Sequence, residues 1–147
     1  MAKRRADPKV QRNTRSDARP DELRYAVDFD AMEASGKSAA YFVRSRICAD
    51  ASARAGGSGG DQLKDLLKII ATDCKGKPDY IGAATPLSEA IFRILLASGN
   101  RPQSIRNIQD GLTEAWATVI YMKDLSPELL SRLLDRPNAY FMKQVAG

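Results

Sequence analysis

Thr85-Pro86-Leu87-Ser88-Glu89-Ala90-Ile91-Phe92-Arg93-Ile94-Leu95-Leu96-Ala97-Ser98-Gly99 carries both ends of a helix and its apolar face. Thr85 is a capping residue and Pro86 suits the first helical position, where no amide is needed. Leu87, Ala90, Ile91, Ile94, Leu95 and Ser98 then fall on one face, and the helix ends at Gly99. The same reading extends toward the C-terminus. Ser104 opens a helix with Ile105, Ile108 and Leu112 in phase, and the phase can be followed past Gly111 through Trp116, Ile120 and Met122. Ser126-Pro127-Glu128 opens another, carrying Leu129, Leu130, Leu133 and Leu134, and Arg136-Pro137-Asn138 stops it. The short alternating stretch 139–145 suits a strand or a final packed segment.

Toward the N-terminus, Asp61 caps a helix marked by Leu63, Leu66, Leu67, Ile70 and Cys74 and closed by Gly76 and Pro78. Cys74 lies on its apolar face and reads as a core thiol. Ala55-Gly56-Gly57-Ser58-Gly59-Gly60 reads as a flexible linker that divides the chain into two lobes. Before it, a helix is expected over 20–34. Pro20 sits in its first turn, Asp21-Glu22 lie near the positive end of its dipole, and Ser35-Gly36 ends it. A second helix starts at Ser38, a good N-cap, and runs to about Arg54, with Ala39, Phe42, Val43, Arg46 and Ile47 on its stripe. The expected fold is therefore mainly α.

Composition narrows the chemistry. The chain has 147 residues, 44% of them apolar and 28% charged, which suits one domain or two very small ones. It has no histidine and two cysteines, Cys48 and Cys74, so a Ser-His-Asp triad, a Cys-His dyad and a tetrahedral zinc site are all excluded. Asp28 and Asp30, two apart on the expected first helix, would point away from each other and make a poor catalytic pair. Gly36-Lys37-Ser38 lacks the earlier glycine of a phosphate loop, since Ala31 stands there. Trp116, Tyr121, Tyr140 and Phe141 are assigned to the core. No enzyme, metal or cofactor is expected, and no apolar run is long enough to span a bilayer, so a cytoplasmic location is expected.

The net charge of +5 is unevenly placed. Residues 1–19 hold seven bases, Lys3, Arg4, Arg5, Lys9, Arg12, Arg15 and Arg19, against Asp7 and Asp17, while residues 20–147 are balanced. Such an arm has too few apolar side chains to fold alone. It suits a segment that binds nucleic acid, because each base placed beside a phosphate releases a counterion; the other reading is a solubilising tail.

Residues 10–52 combine a Gln11-x-Asn13-x-Arg15 segment, a proline-led helix, a Gly36-Lys37-Ser38 turn and an apolar second helix. This resembles the ribbon-helix-helix family of DNA-binding proteins, in particular Arc-type repressors and accessory proteins of plasmid mobilisation. The resemblance implies a homodimer whose paired strands, 10–15, enter the major groove. Gln11, Asn13 and Arg15 would meet base edges, Lys3, Arg4, Arg5, Lys9 and Lys37 phosphates, and the amides near Lys37 and Ser38 a further phosphate, with Arg12 counted among the nucleic-acid contacts. Residues 85–145 resemble a winged helix-turn-helix, with 87–98 and 104–112 as its first helices, 127–135 as recognition helix and 139–145 as wing strand; a plain helical bundle is the alternative. The implied function is duplex DNA binding for repression, plasmid partition or relaxosome assembly. A rival reading is a helical subunit of a phage or CRISPR type of nucleoprotein assembly, contacting DNA or RNA backbone without reading sequence. A third is a protein adaptor.

Overall fold

Arg24–Val27 forms β1, the middle strand of a three-stranded antiparallel sheet, in a computed structural model that describes residues 23–51 and 62–145. On one side Arg24 and Tyr25 pair with Ser104 and Gln103 of β2 (Gln103–Ser104). On the other, Arg24 to Val27 pair in register with Val145 to Met142 of β3 (Met142–Val145). The helix expected over 20–34 is thus replaced by strand at 24–27. The physical reason is burial on both faces: Tyr25, Ala26 and Val27 are all buried, which a single helical stripe does not achieve. Pro20 and Asp21-Glu22 lie outside the described residues.

Asp28 starts the helix instead. Its Oδ1 accepts from the Ala31 amide at 3.0 Å, capping α1 (Phe29–Ala34), and its Oδ2 accepts from Lys143 Nζ at 2.8 Å. Gly36, at φ +95°, takes the left-handed turn. Ser38 then caps α2 (Ala39–Arg44), accepting from the Tyr41 amide at 3.1 Å. The expected extension to Arg54 fails early. The amides of Arg46 and Ile47 turn back three residues, to Val43 and Arg44, and the Cys48 amide donates to Cys74 Sγ at 3.0 Å instead of to a helical carbonyl.

The glycine-rich stretch lies outside the described residues, but the chain on either side of it shares one core. Tyr25, Met32 and Val43 belong to the same buried cluster as Leu66, Phe92, Ile108 and Leu134. α3 (Leu63–Ile69) continues into a π-helical turn (Ile70–Cys74), and Leu66, Ile70 and Cys74 are buried as their spacing predicts. α4 (Leu87–Ala97) begins one residue later than expected, because Pro86 is its N-cap and the Thr85 hydroxyl accepts from the Gly82 amide at 2.9 Å.

α5 (Ile105–Ala115) is capped by the Ser104 hydroxyl, which accepts from the Asn107 amide at 3.0 Å. Gly111 lets it approach α4 closely, since a Cβ there would stand 3.0 Å from Ile94 Cδ1. The phase does not run on as α-helix. Ala117–Met122 tightens into a 3-10 segment that leaves Tyr121 81% exposed, so the core assignment fails for Tyr121 and holds for buried Trp116. α6 (Pro127–Leu134) is capped by Ser126 and buries Leu130 and Leu134. Asn138 then shapes the turn into β3: its Oδ1 accepts from the amides of Tyr140 and Met142, and its Nδ2 donates to the Met142 carbonyl. That turn holds Phe141 at φ +59°, a conformation disfavoured for an L residue. Among the described residues the chain is mainly helical, and no helix is long and apolar enough to cross a membrane.

Candidate nucleic-acid interface

Eight of the ten expected contact residues, Lys3, Arg4, Arg5, Lys9, Gln11, Arg12, Asn13 and Arg15, lie outside the described residues. The other two, Lys37 and Ser38, sit exposed between α1 and α2. Several of the amides there are bonded within the protein: that of Lys37 donates to the Met32 carbonyl at 3.2 Å. Glu33 Oε2 accepts from the Ala39 amide at 2.9 Å, and Ser38 Oγ from the Tyr41 amide. The exposed Glu33 carboxylate therefore stands beside Lys37 and Ser38 at the start of α2.

A polar cluster joins Arg46, just past the end of α2, to Glu89 and Arg93 of α4. Arg46 donates through Nε and Nη2 to the two carboxylate oxygens of Glu89, at 3.0 and 2.9 Å, in a bidentate pair. Arg93 donates to Glu89 Oε2 at 2.7 Å and to the Tyr80 carbonyl at 2.8 Å. Three rings enclose the Arg46 guanidinium, whose carbon lies 4.9 Å from the Phe92 centroid, 5.3 Å from Phe42 and 6.0 Å from Tyr140. Burial favours protonation of Glu89, but the hydrogen bonds from Arg46 and Arg93 outweigh it and hold the carboxyl at about 2. Burial also pushes up the hydroxyls of Tyr80 and Tyr140. A carboxylate held ionised between two guanidiniums does not exchange protons near neutral pH. The cluster is a tie between α2, α4 and the segment before β3. The signal for it in the sequence was an arginine, Arg46, in phase with an apolar stripe.

Cys74 is not placed as a nucleophile, whereas Cys48 is only half-buried. Cys74 is fully buried, and burial together with its hydrogen bond to Cys48 raises it to about 11. Among the described residues, no group of acidic or cysteine side chains could hold a metal ion.

Among the described residues, two surfaces carry several bases. α6 exposes Glu128 and Arg132, and just past its end Arg136 is exposed and Asp135 accepts from the Tyr25 hydroxyl at 3.1 Å, which makes a mixed face. A groove between α3 and the end of α4 is instead rimmed by Lys64, Lys68, Lys75 and Arg101. These four were not among the residues expected from the sequence, because they come from separate elements. Set against known proteins, the chain matches no family model, no curated protein and no solved structure.

Proposed function

We propose that this protein binds nucleic acid without catalysing a reaction, and that its target is duplex DNA engaged through the arm at residues 1–19. The observation that carries this reading is the separation of charge: seven bases against two acids in the arm, and a balanced remainder. An arm of this composition gains affinity from counterion release and needs no fold of its own before it meets phosphate. Gln11, Asn13 and Arg15 are the side chains suited to base edges, and Lys3, Arg4, Arg5, Lys9 and Arg12 those suited to phosphates.

The order of elements supports a DNA-associated body. α4, β2, α5, α6 and β3 come in the order of the winged helix-turn-helix that residues 85–145 resemble, with the 3-10 segment Ala117–Met122 inserted between α5 and α6. β1 takes the middle place in the sheet from the N-terminal side. The central strand begins at Arg24, which pairs with Ser104 and Val145 and follows the arm in the sequence.

The mixed face of α6 favours a second reading, in which the protein is a subunit of a nucleoprotein assembly that meets backbone alone. Titration of labelled duplexes of several sequences separates the two. Under the first reading Asn13→Ala narrows the spread of affinities among the sequences; under the second it weakens all of them slightly and equally. An Arg4→Gln, Arg5→Gln, Arg12→Gln, Arg15→Gln variant that binds every duplex as tightly as the parent chain refutes both.

A further inference from the structure

We propose that the groove between α3 and the C-terminal end of α4 is a second nucleic-acid site, holding the phosphodiester backbone of one strand. It rests on the nucleic-acid reading for the identity of the polyanion, but its residues are separate from the arm.

The groove is open to solvent along its length and has a volume of about 820 Å³. Its floor is apolar, from Leu63, Leu67, Ala71 and Ala97. Its rim carries four bases, Lys64, Lys68, Lys75 and Arg101, against one acid, Asp65. Among the described residues Arg46 and Arg93 share Glu89, Lys77 meets Asp50 and Lys143 meets Asp28, while other exposed bases such as Lys37, Arg106 and Arg132 form no ion pair, so what distinguishes the rim is four bases lining one groove. The four rim bases form no ion pair among the described residues.

Lys64 and Lys68 stand one helical turn apart on α3, so their charges repel while the groove is empty. A row of phosphates removes that repulsion. The spacing of the two lysines, about 6 Å between Cβ atoms, is comparable to that of neighbouring phosphates on a strand. Lys75 and Arg101 extend the line of positive charge onto the following turn and the opposite wall. The carbonyl end of α4, at Ser98 and Gly99, also faces the groove, and the surplus of three positive charges on the rim outweighs its partial negative charge. The Ser98 hydroxyl is already donating to the Leu95 carbonyl at 2.7 Å, so the contact is made by the ammonium and guanidinium groups. Sugars and bases of the same strand can lie over the Leu63 and Leu67 side chains.

The test is fluorescence anisotropy of labelled single-stranded and duplex DNA with the full chain, a groove variant, Lys64→Glu, Lys68→Glu, Lys75→Glu, and the arm variant described above. All three groove side chains are exposed, and circular dichroism establishes that the variant folds. A milder Lys64→Gln, Lys68→Gln, Lys75→Gln variant serves should the reversal unfold the chain. The expected result is a loss of at least about tenfold in affinity on charge reversal, with the salt slope reduced by about 2, beyond whatever the arm variant loses. Groove variants that bind both DNAs as the parent does, while the arm variant binds weakly, overturn the groove and spare the arm. If the parent chain binds neither DNA but takes up labelled polyglutamate through the rim lysines, the nucleic-acid site is overturned in favour of an acidic peptide site.

Discussion

Asn100 pairs with both main-chain groups of Val27: its Oδ1 accepts from the Val27 amide at 2.8 Å and its Nδ2 donates to the Val27 carbonyl at 2.9 Å. β2 is only two residues long and reaches no further along β1 than Tyr25, so one side chain takes the place of the next strand residue. Asn100 can do this because it sits at φ +60°, just after Gly99, a conformation that asparagine tolerates better than most residues. Asn100→Ala leaves two backbone groups of a buried residue without partners and adds strain at a positive φ. The expected loss is about 2–4 kcal/mol in urea unfolding, and Asn100→Gly should lose somewhat less. A change below about 0.5 kcal/mol would show that β1 does not depend on this pairing.

The Glu89 cluster predicts an acid limb in stability. The Glu89 carboxyl is held at about 2 in the folded protein against 4.5 ordinarily, so its contribution is complete above 4.5 and fades as pH falls toward 2. That linkage amounts to at most about 3 kcal/mol, somewhat less after solvent screening of a carboxylate that is 15% exposed. Urea unfolding across this interval should show stability falling with pH in the parent chain. Glu89→Gln should be weaker at neutral pH and should flatten the limb; an unchanged limb would remove Glu89 as its source.

Gly111 predicts a coupled pair. Alanine there favours helix by about 1 kcal/mol, but its methyl would press on Ile94 Cδ1 at 3.0 Å. Gly111→Ala alone should be close to neutral, whereas in an Ile94→Val background, which removes that carbon, it should stabilise by roughly 0.5–1 kcal/mol. Additivity of the two changes in thermal unfolding would contradict the close approach of α4 and α5.

The thiols should differ in reactivity. Native protein treated with iodoacetamide near neutral pH should be alkylated at half-buried Cys48 and spared at buried Cys74, as read by peptide mass spectrometry. Equal labelling of both would mean that the π-helical turn opens readily.

What could be read locally in the sequence was the set of helix starts and their apolar faces. Ser38, Ser104 and Ser126 each accept from the amide three residues on, as their position before an apolar stripe implies. β1 could not be read this way. Arg24-Tyr25-Ala26-Val27 has no alternation, and its partners lie near residues 104 and 144, so its conformation is decided by distant pairing. The early end of α2 has the same origin, since Cys48 gives its amide to Cys74, twenty-six residues away. The groove was illegible for a related reason. Lys64 and Lys68 look like the solvated side of α3, and only the fold sets Lys75 and Arg101 beside them. The arm lies outside the described residues, and its reading rests on composition alone.

The most direct test of nucleic-acid binding through the arm is the dependence of affinity on salt, measured with the full chain and a duplex of random sequence. Contacts from most of the seven arm bases predict a slope of log K against log salt of about −5 or steeper, falling by about 3 or more in the arm variant. A slope near zero, or no binding at low salt, would contradict it.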